Sequence, residues 1–78
     1  MQASEAKLLK TFGRSIRSLR KQRGLSQEAL AEACGLSRNY ISDIERGVRN
    51  PGVLVLVALA KALRVSLREL FEEIEPRR

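Results

Sequence analysis

The sequence predicts an all-α domain built from five short helices. Three observations point there. Apolar residues recur at spacings of three and four, glycines fall where helices would stop, and serines fall where the next would start. At 78 residues the chain has room for one domain, spanning residues 1–78.

The first helix is expected over about residues 4–23, with Leu8, Leu9, Phe12, Ile16 and Leu19 on one face. Gly24 follows in the position where helices end. Ser26 opens the second helix, about 26–33, with Leu25 before it and Leu30 four positions in. Ser37 opens the third, about 37–46, flanked in the same way by Leu36 and Ile41. Ser66 opens the fifth, about 66–74, between Val65 and Leu70, and Glu69 completes a capping box. In each case a serine oxygen can accept from a free N–H of the first turn while two apolar residues staple the entering chain. Gly35 and Gly47 stop the second and third helices, and Asn50-Pro51-Gly52 marks a loop before the fourth, about 53–63. There Val53, Val55 and Val57 alternate as a strand would, but Ala58, Ala60, Lys61 and Ala62 favour helix.

Composition narrows function. With one cysteine and no histidine the chain offers no zinc cluster, no internal disulfide and no His-assisted nucleophile. No metal, no cofactor and no enzymatic activity are therefore expected. The longest apolar run, Val53 to Ala60, is eight residues, against about 20 for a bilayer span. Glu5, Lys7 and Lys10 break up the N-terminal apolar residues, so no secretory signal is expected either. These features predict a soluble cytoplasmic protein without a membrane partner. Net charge is +6, with the basic excess in residues 1–24 and 48–65, while residues 25–47 are net negative. A basic surface suits a polyanion, and it equally describes a solvated helix face. With three aromatic residues, the core must come from Leu, Ile, Val and Ala, and dimerisation would supplement so small a core.

The second and third helices, joined across Cys34-Gly35-Leu36, describe a helix-turn-helix, with Leu30, Ala31, Leu36, Ile41 and Ile44 as the small core between them. Cys34 fits as a small buried hydrophobe beside the turn. Around this unit stand Arg-Gly-Leu-Ser-Gln-Glu-x-Leu-Ala at 23–31, Gly-Leu-Ser-Arg-x-Tyr-Ile-Ser-x-Ile-Glu-Arg-Gly at 35–47 and Arg-Asn-Pro at 49–51. Through these motifs residues 12–71 resemble the Cro/C1-type (Xre-family) helix-turn-helix DNA-binding domain, a five-helix lambda-repressor-like fold. Within that family the sequence is most similar to the controller proteins of restriction–modification systems, which carry Arg-x-Tyr-x-Ser in the third helix.

The resemblance implies roles position by position. Helix 37–46 would be the recognition helix in the major groove. Arg38 would read guanine through its two-pronged guanidinium, and Asn39 would read adenine or hold a phosphate. Ser42 and Asp43 share that face one turn on. Asp43 either accepts from cytosine N4 or orients Arg38 or Arg46 by a salt bridge. Gln27, Ser37, Arg46, Arg49 and Asn50 would hold the DNA backbone, which sets register without reading sequence. Tyr40 would join them as a backbone contact toward the operator centre, or else packs against helix 26–33. Arg20 and Glu45 match a structural salt bridge between the first and third helices.

Ten of the eleven residues in helix 53–63 are apolar, more than one buried face requires. Leu54, Val55, Ala58, Val65 and Leu67 are therefore expected to form a homodimer interface. The expected protein is a dimeric, sequence-specific regulator that binds double-stranded DNA at a pseudo-palindromic operator and acts on its own gene. Because the chain ends at Arg78, no sensor domain and no small-molecule ligand are expected. Glu28 and Glu32, one turn apart, could contact RNA polymerase or simply face solvent. The rival reading is an antitoxin-type module that binds both a toxin and DNA, although only Met1–Lys7 and Glu72–Arg78 would be spare to cover a toxin.

Overall fold

The computed structural model describes residues 3–74. Residues 1–2 and 75–78, parts of the spare terminal segments named above, lie outside the described residues. Five helices follow one another: α1 (Ala3–Gln22), α2 (Gln27–Cys34), α3 (Arg38–Arg46), α4 (Val53–Leu63) and α5 (Leu67–Leu70). There is no strand among the described residues, so the all-α expectation holds.

The serine starts form as the pattern dictates. The Oγ atoms of Ser26, Ser37 and Ser66 accept from the backbone N–H of Ala29, Tyr40 and Glu69. Glu69 returns a bond from its Oε1 to the Ser66 N–H at 2.9 Å, closing the capping box. At the other ends, Gly35 and Gly47 adopt left-handed backbone with φ of 69° and 77°, a region that costs an ordinary L-residue about 1–2 kcal/mol. One stop carries no glycine signal. Arg64 ends α4 with φ 60°, and the Arg23 guanidinium reaches across to the carbonyl oxygens of Leu63 (2.6 Å) and Arg64 (3.4 Å). A side chain from the end of α1 thus satisfies the carbonyls that the end of α4 leaves open.

The core is aliphatic: Ile16, Leu30, Ile41, Ile44, Leu59, Leu63 and Leu70 are fully buried. Leu8, expected on the inner face of α1, is instead 46% exposed, because the helix presents Leu9, Phe12 and Ile16 inward. The fifth helix is shorter than the expected 66–74. After Leu70 the chain turns through three-residue-spaced bonds, Phe71 N–H to Arg68 O and Ile74 N–H to Phe71 O. Phe71 leaves the helical path there and stacks on Phe12, with centroids 5.6 Å apart, while the neighbouring Glu72 and Glu73 stay exposed. Burying that ring, rather than adding one more exposed turn, ends the helix.

What matters for function is the support of α3. It packs against both α1 and α2, and α2 packs in turn on α4. The approach to α1 is close. A Cβ on Gly13 would fall well inside 3.0 Å of the Ile44 and Glu45 carbonyl oxygens, so only glycine fits there.

Candidate nucleic-acid interface

Two short helices and the turn through Gly35 set α3 on the surface with its inner face anchored by Ile41, Ile44 and Glu45. Its outer face carries Arg38, Asn39, Ser42, Asp43 and Arg46. Arg38 and Asn39, in the first turn, are exposed, and Ser42 and Asp43 are half-buried one turn on. The Ser37 hydroxyl oxygen is occupied as the α3 cap, which leaves its O–H as the group able to donate to a phosphate.

A continuous polar chain runs from inside the protein to this face. Arg20 donates from Nε to Glu45 Oε2 at 2.6 Å, from Nη2 to Glu45 Oε1 at 3.1 Å, and from Nη1 to the Leu25 carbonyl at 2.8 Å. Glu45 Oε1 also accepts from Gln27 Nε2 at 3.0 Å, and Gln27 Oε1 accepts from Arg38 Nη1 at 3.2 Å. Arg20 and Glu45 are thus joined inside the protein, and Gln27 sits between them and Arg38. Local spacing in the sequence gives no sign of this bridge between residues 27 and 38.

A second cluster lies at the far end of α3. Asp43 Oδ1 accepts from Arg46 Nη2 at 2.5 Å, and Asp43 Oδ2 lies 3.6 Å from Arg49 Nη2. The Arg49 guanidinium also covers the Tyr40 ring, 4.4 Å from its centroid. Of the two arginines considered as partners for Asp43, the structure therefore gives Arg46, adds Arg49, and pairs Arg38 with Gln27 instead. Tyr40 is half-buried against the core and meets Arg49 on its other side. Asn50 is exposed in the loop that follows.

The residues expected at a dimer contact divide in two. Leu54 is 85% exposed and Leu67 44%, whereas Val55, Ala58 and Val65 are half-buried, with Val55 and Val65 packed partly against the chain's own core. Val53, passed over in the sequence pattern, is 73% exposed beside Leu54. Cys34 is partly buried, and desolvation pushes its thiol pKa up, which disfavours a reactive thiolate. Among the described residues no three His, Cys, Asp or Glu side chains gather closely enough to hold a metal, and no helix is long and apolar enough to cross a membrane.

The helix-turn-helix family profile matches residues 16–70, well over half of the chain. The chain belongs to the helix-turn-helix family of DNA-binding transcription regulators. Like other helix-turn-helix proteins of the Xre type, it is similar to the controllers of restriction–modification systems. It is 44% identical over 62 residues to the control protein C.BamHI of Bacillus amyloliquefaciens, covering 78% of this chain and 76% of that one. An uncharacterised helix-turn-helix regulator of Sinorhizobium fredii, y4dJ, is 46% identical over 61 residues, with 78% and 79% of the two chains covered. Among solved structures, the restriction–modification controller C.AhdI from Aeromonas hydrophila superimposes with a TM-score of 0.79 at 48% identity, over 85% of this helix-turn-helix chain and 98% of the controller.

Proposed function

We propose that the protein is a homodimeric, sequence-specific regulator that places α3 in the major groove at each half of a pseudo-palindromic operator. The observation that carries this reading is the support of Arg38. Its guanidinium is exposed at the start of α3 yet tethered through Gln27 to the Glu45–Arg20 pair, which arranges a guanine-reading fork before DNA arrives. Asn39, Ser42 and Asp43 complete the base-reading face. Ser37, Arg46, Arg49 and Asn50 flank it as phosphate ligands, with Tyr40 steadying Arg49. The Gln27 amide lies at the first turn of α2, where the helix's free N–H groups favour a phosphate.

A second copy would meet the first through Leu54 and Leu67, with Val55, Ala58 and Val65 behind them. Two recognition helices would then stand about 34 Å apart, matching successive major grooves. Similarity to restriction–modification controllers supports a regulatory role in that setting, in the cytoplasm, and control of its own gene is part of this reading. Glu28 and Glu32 are exposed on α2, open to RNA polymerase or to solvent. The test is a selection of bound duplexes from a random pool at physiological salt. A two-fold symmetric consensus with half-sites about one helical turn apart is expected, and absence of any enriched sequence would overturn the reading.

A further inference from the structure

We propose that Asp43 is a specificity filter, whose carboxylate occupies the phosphate-binding arginines Arg46 and Arg49 until a matched site offers it a base donor. The proposal rests on the reading of α3 as the recognition helix. One carboxylate engages two guanidinium groups here, Arg46 on Oδ1 at 2.5 Å and Arg49 near Oδ2 at 3.6 Å. Two oxygens shared between cations are what a backbone phosphate would present to the same arginines. Asp43 stands in for that phosphate in the free protein.

The surrounding charge makes the substitution matter. Helices α2 and α3 hold Glu28, Glu32, Asp43 and Glu45 against Arg38 and Arg46, an acidic excess within a chain of net charge +6. Unpaired arginines on a DNA-facing helix would attract any duplex, because phosphates carry no sequence information. With Asp43 in place, a duplex must take Arg46 and Arg49 away from it, leaving a bare carboxylate against the negative field of the DNA. Only cytosine N4 and adenine N6 can donate to that carboxylate from the major groove. Asp43 lies one helical turn beyond Asn39 on the reading face, placed to accept from such a group. Every base pair carries one such amino group on one strand or the other, so a matched operator is one that sets it within reach of Asp43, whereas a site that turns guanine O6 or thymine O4 toward the carboxylate repels it. The penalty therefore falls on mismatched DNA.

The experiment compares the full chain with Asp43→Asn and Asp43→Ala, on the duplex selected by wild type and on a random duplex of equal length, across a salt series. Both substitutions should raise affinity for the random duplex about tenfold and steepen its salt dependence by about one to two in slope, as two arginines become free for phosphates. Affinity for the selected duplex should stay level or fall, so discrimination drops about tenfold or more. An unchanged ratio, or equal weakening on both duplexes, would overturn the filter and leave Asp43 as a prop for its arginines. A wild type that discriminates while the variants keep its ratio sinks this proposal alone. A wild type with no preferred duplex sinks it together with the proposed function.

Discussion

Arg20 and Glu45 meet through two parallel hydrogen bonds, at 2.6 and 3.1 Å, with side chains only 10% and 3% exposed. A pair so enclosed is costly to break on one side, because the remaining charge stays desolvated. Arg20→Ala or Glu45→Ala should each lose about 3–5 kcal/mol of stability by urea unfolding. Arg20→Met with Glu45→Leu should lose less than either single change. The double variant also removes the acceptor that holds Gln27, so its DNA affinity should fall even where its stability recovers. A double variant less stable than both singles would show that the pair's net contribution is large and favourable.

Gly13 sets how close α1 lies to the recognition helix. Replacing it with alanine adds about 1 kcal/mol of helix propensity, but the new methyl would collide with two backbone carbonyls of α3. Overpacking of that kind typically costs about 1–3 kcal/mol, and backbone has no rotamer with which to give way. Gly13→Ala should therefore lower the urea midpoint and weaken DNA binding by displacing α3. An increase in stability would mean that the two helices can separate freely.

The helix starts and most stops were legible because they depend on neighbours in sequence: a serine, two stapling residues, a glycine that tolerates positive φ. The failures depend on distant residues. Nothing near Arg64 announces a left-handed stop, since its support is Arg23, forty-one positions earlier. The end of α5 was missed because Phe71 answers to Phe12 and not to its own helix. At the candidate site, the individual side chains were readable from the motifs. Their connections were not: Gln27 between Glu45 and Arg38, or Arg49 over Tyr40, arise only when α2, α3 and the following loop are packed together.

Arg38 and Arg46 should differ in kind. Arg38→Ala should lose about 1–3 kcal/mol of binding and relax preference at one base pair, as expected for a base-reading fork. Arg46→Ala should weaken binding to the operator without relaxing preference at any single base pair, and reduce the operator's salt slope by about one. Gln27→Ala leaves Arg38 chemically intact but untethered, so it should blur the same base pair that Arg38→Ala affects. Competition binding against a set of single-base operator variants measures all three. Equal, sequence-independent weakening from Arg38→Ala and Arg46→Ala would place the reading face elsewhere.

Leu54 lies almost wholly in solvent at the start of α4, with Val53 exposed beside it, an arrangement that costs a monomer more than it gives. If this surface joins two copies, Leu54→Glu with Ala58→Glu should leave a folded chain that sediments as a monomer. Because Leu54 contributes little to the chain's own core, Leu54→Glu alone should change stability by no more than about 0.5 kcal/mol. Operator affinity should nonetheless drop about 100-fold or more, since the second half-site is then bound independently instead of at high effective concentration. Binding to a single half-site should be unaffected. A double variant that still sediments as a dimer would move the interface off α4, and a single half-site that weakens in parallel would show that the substitutions disturb α3 itself.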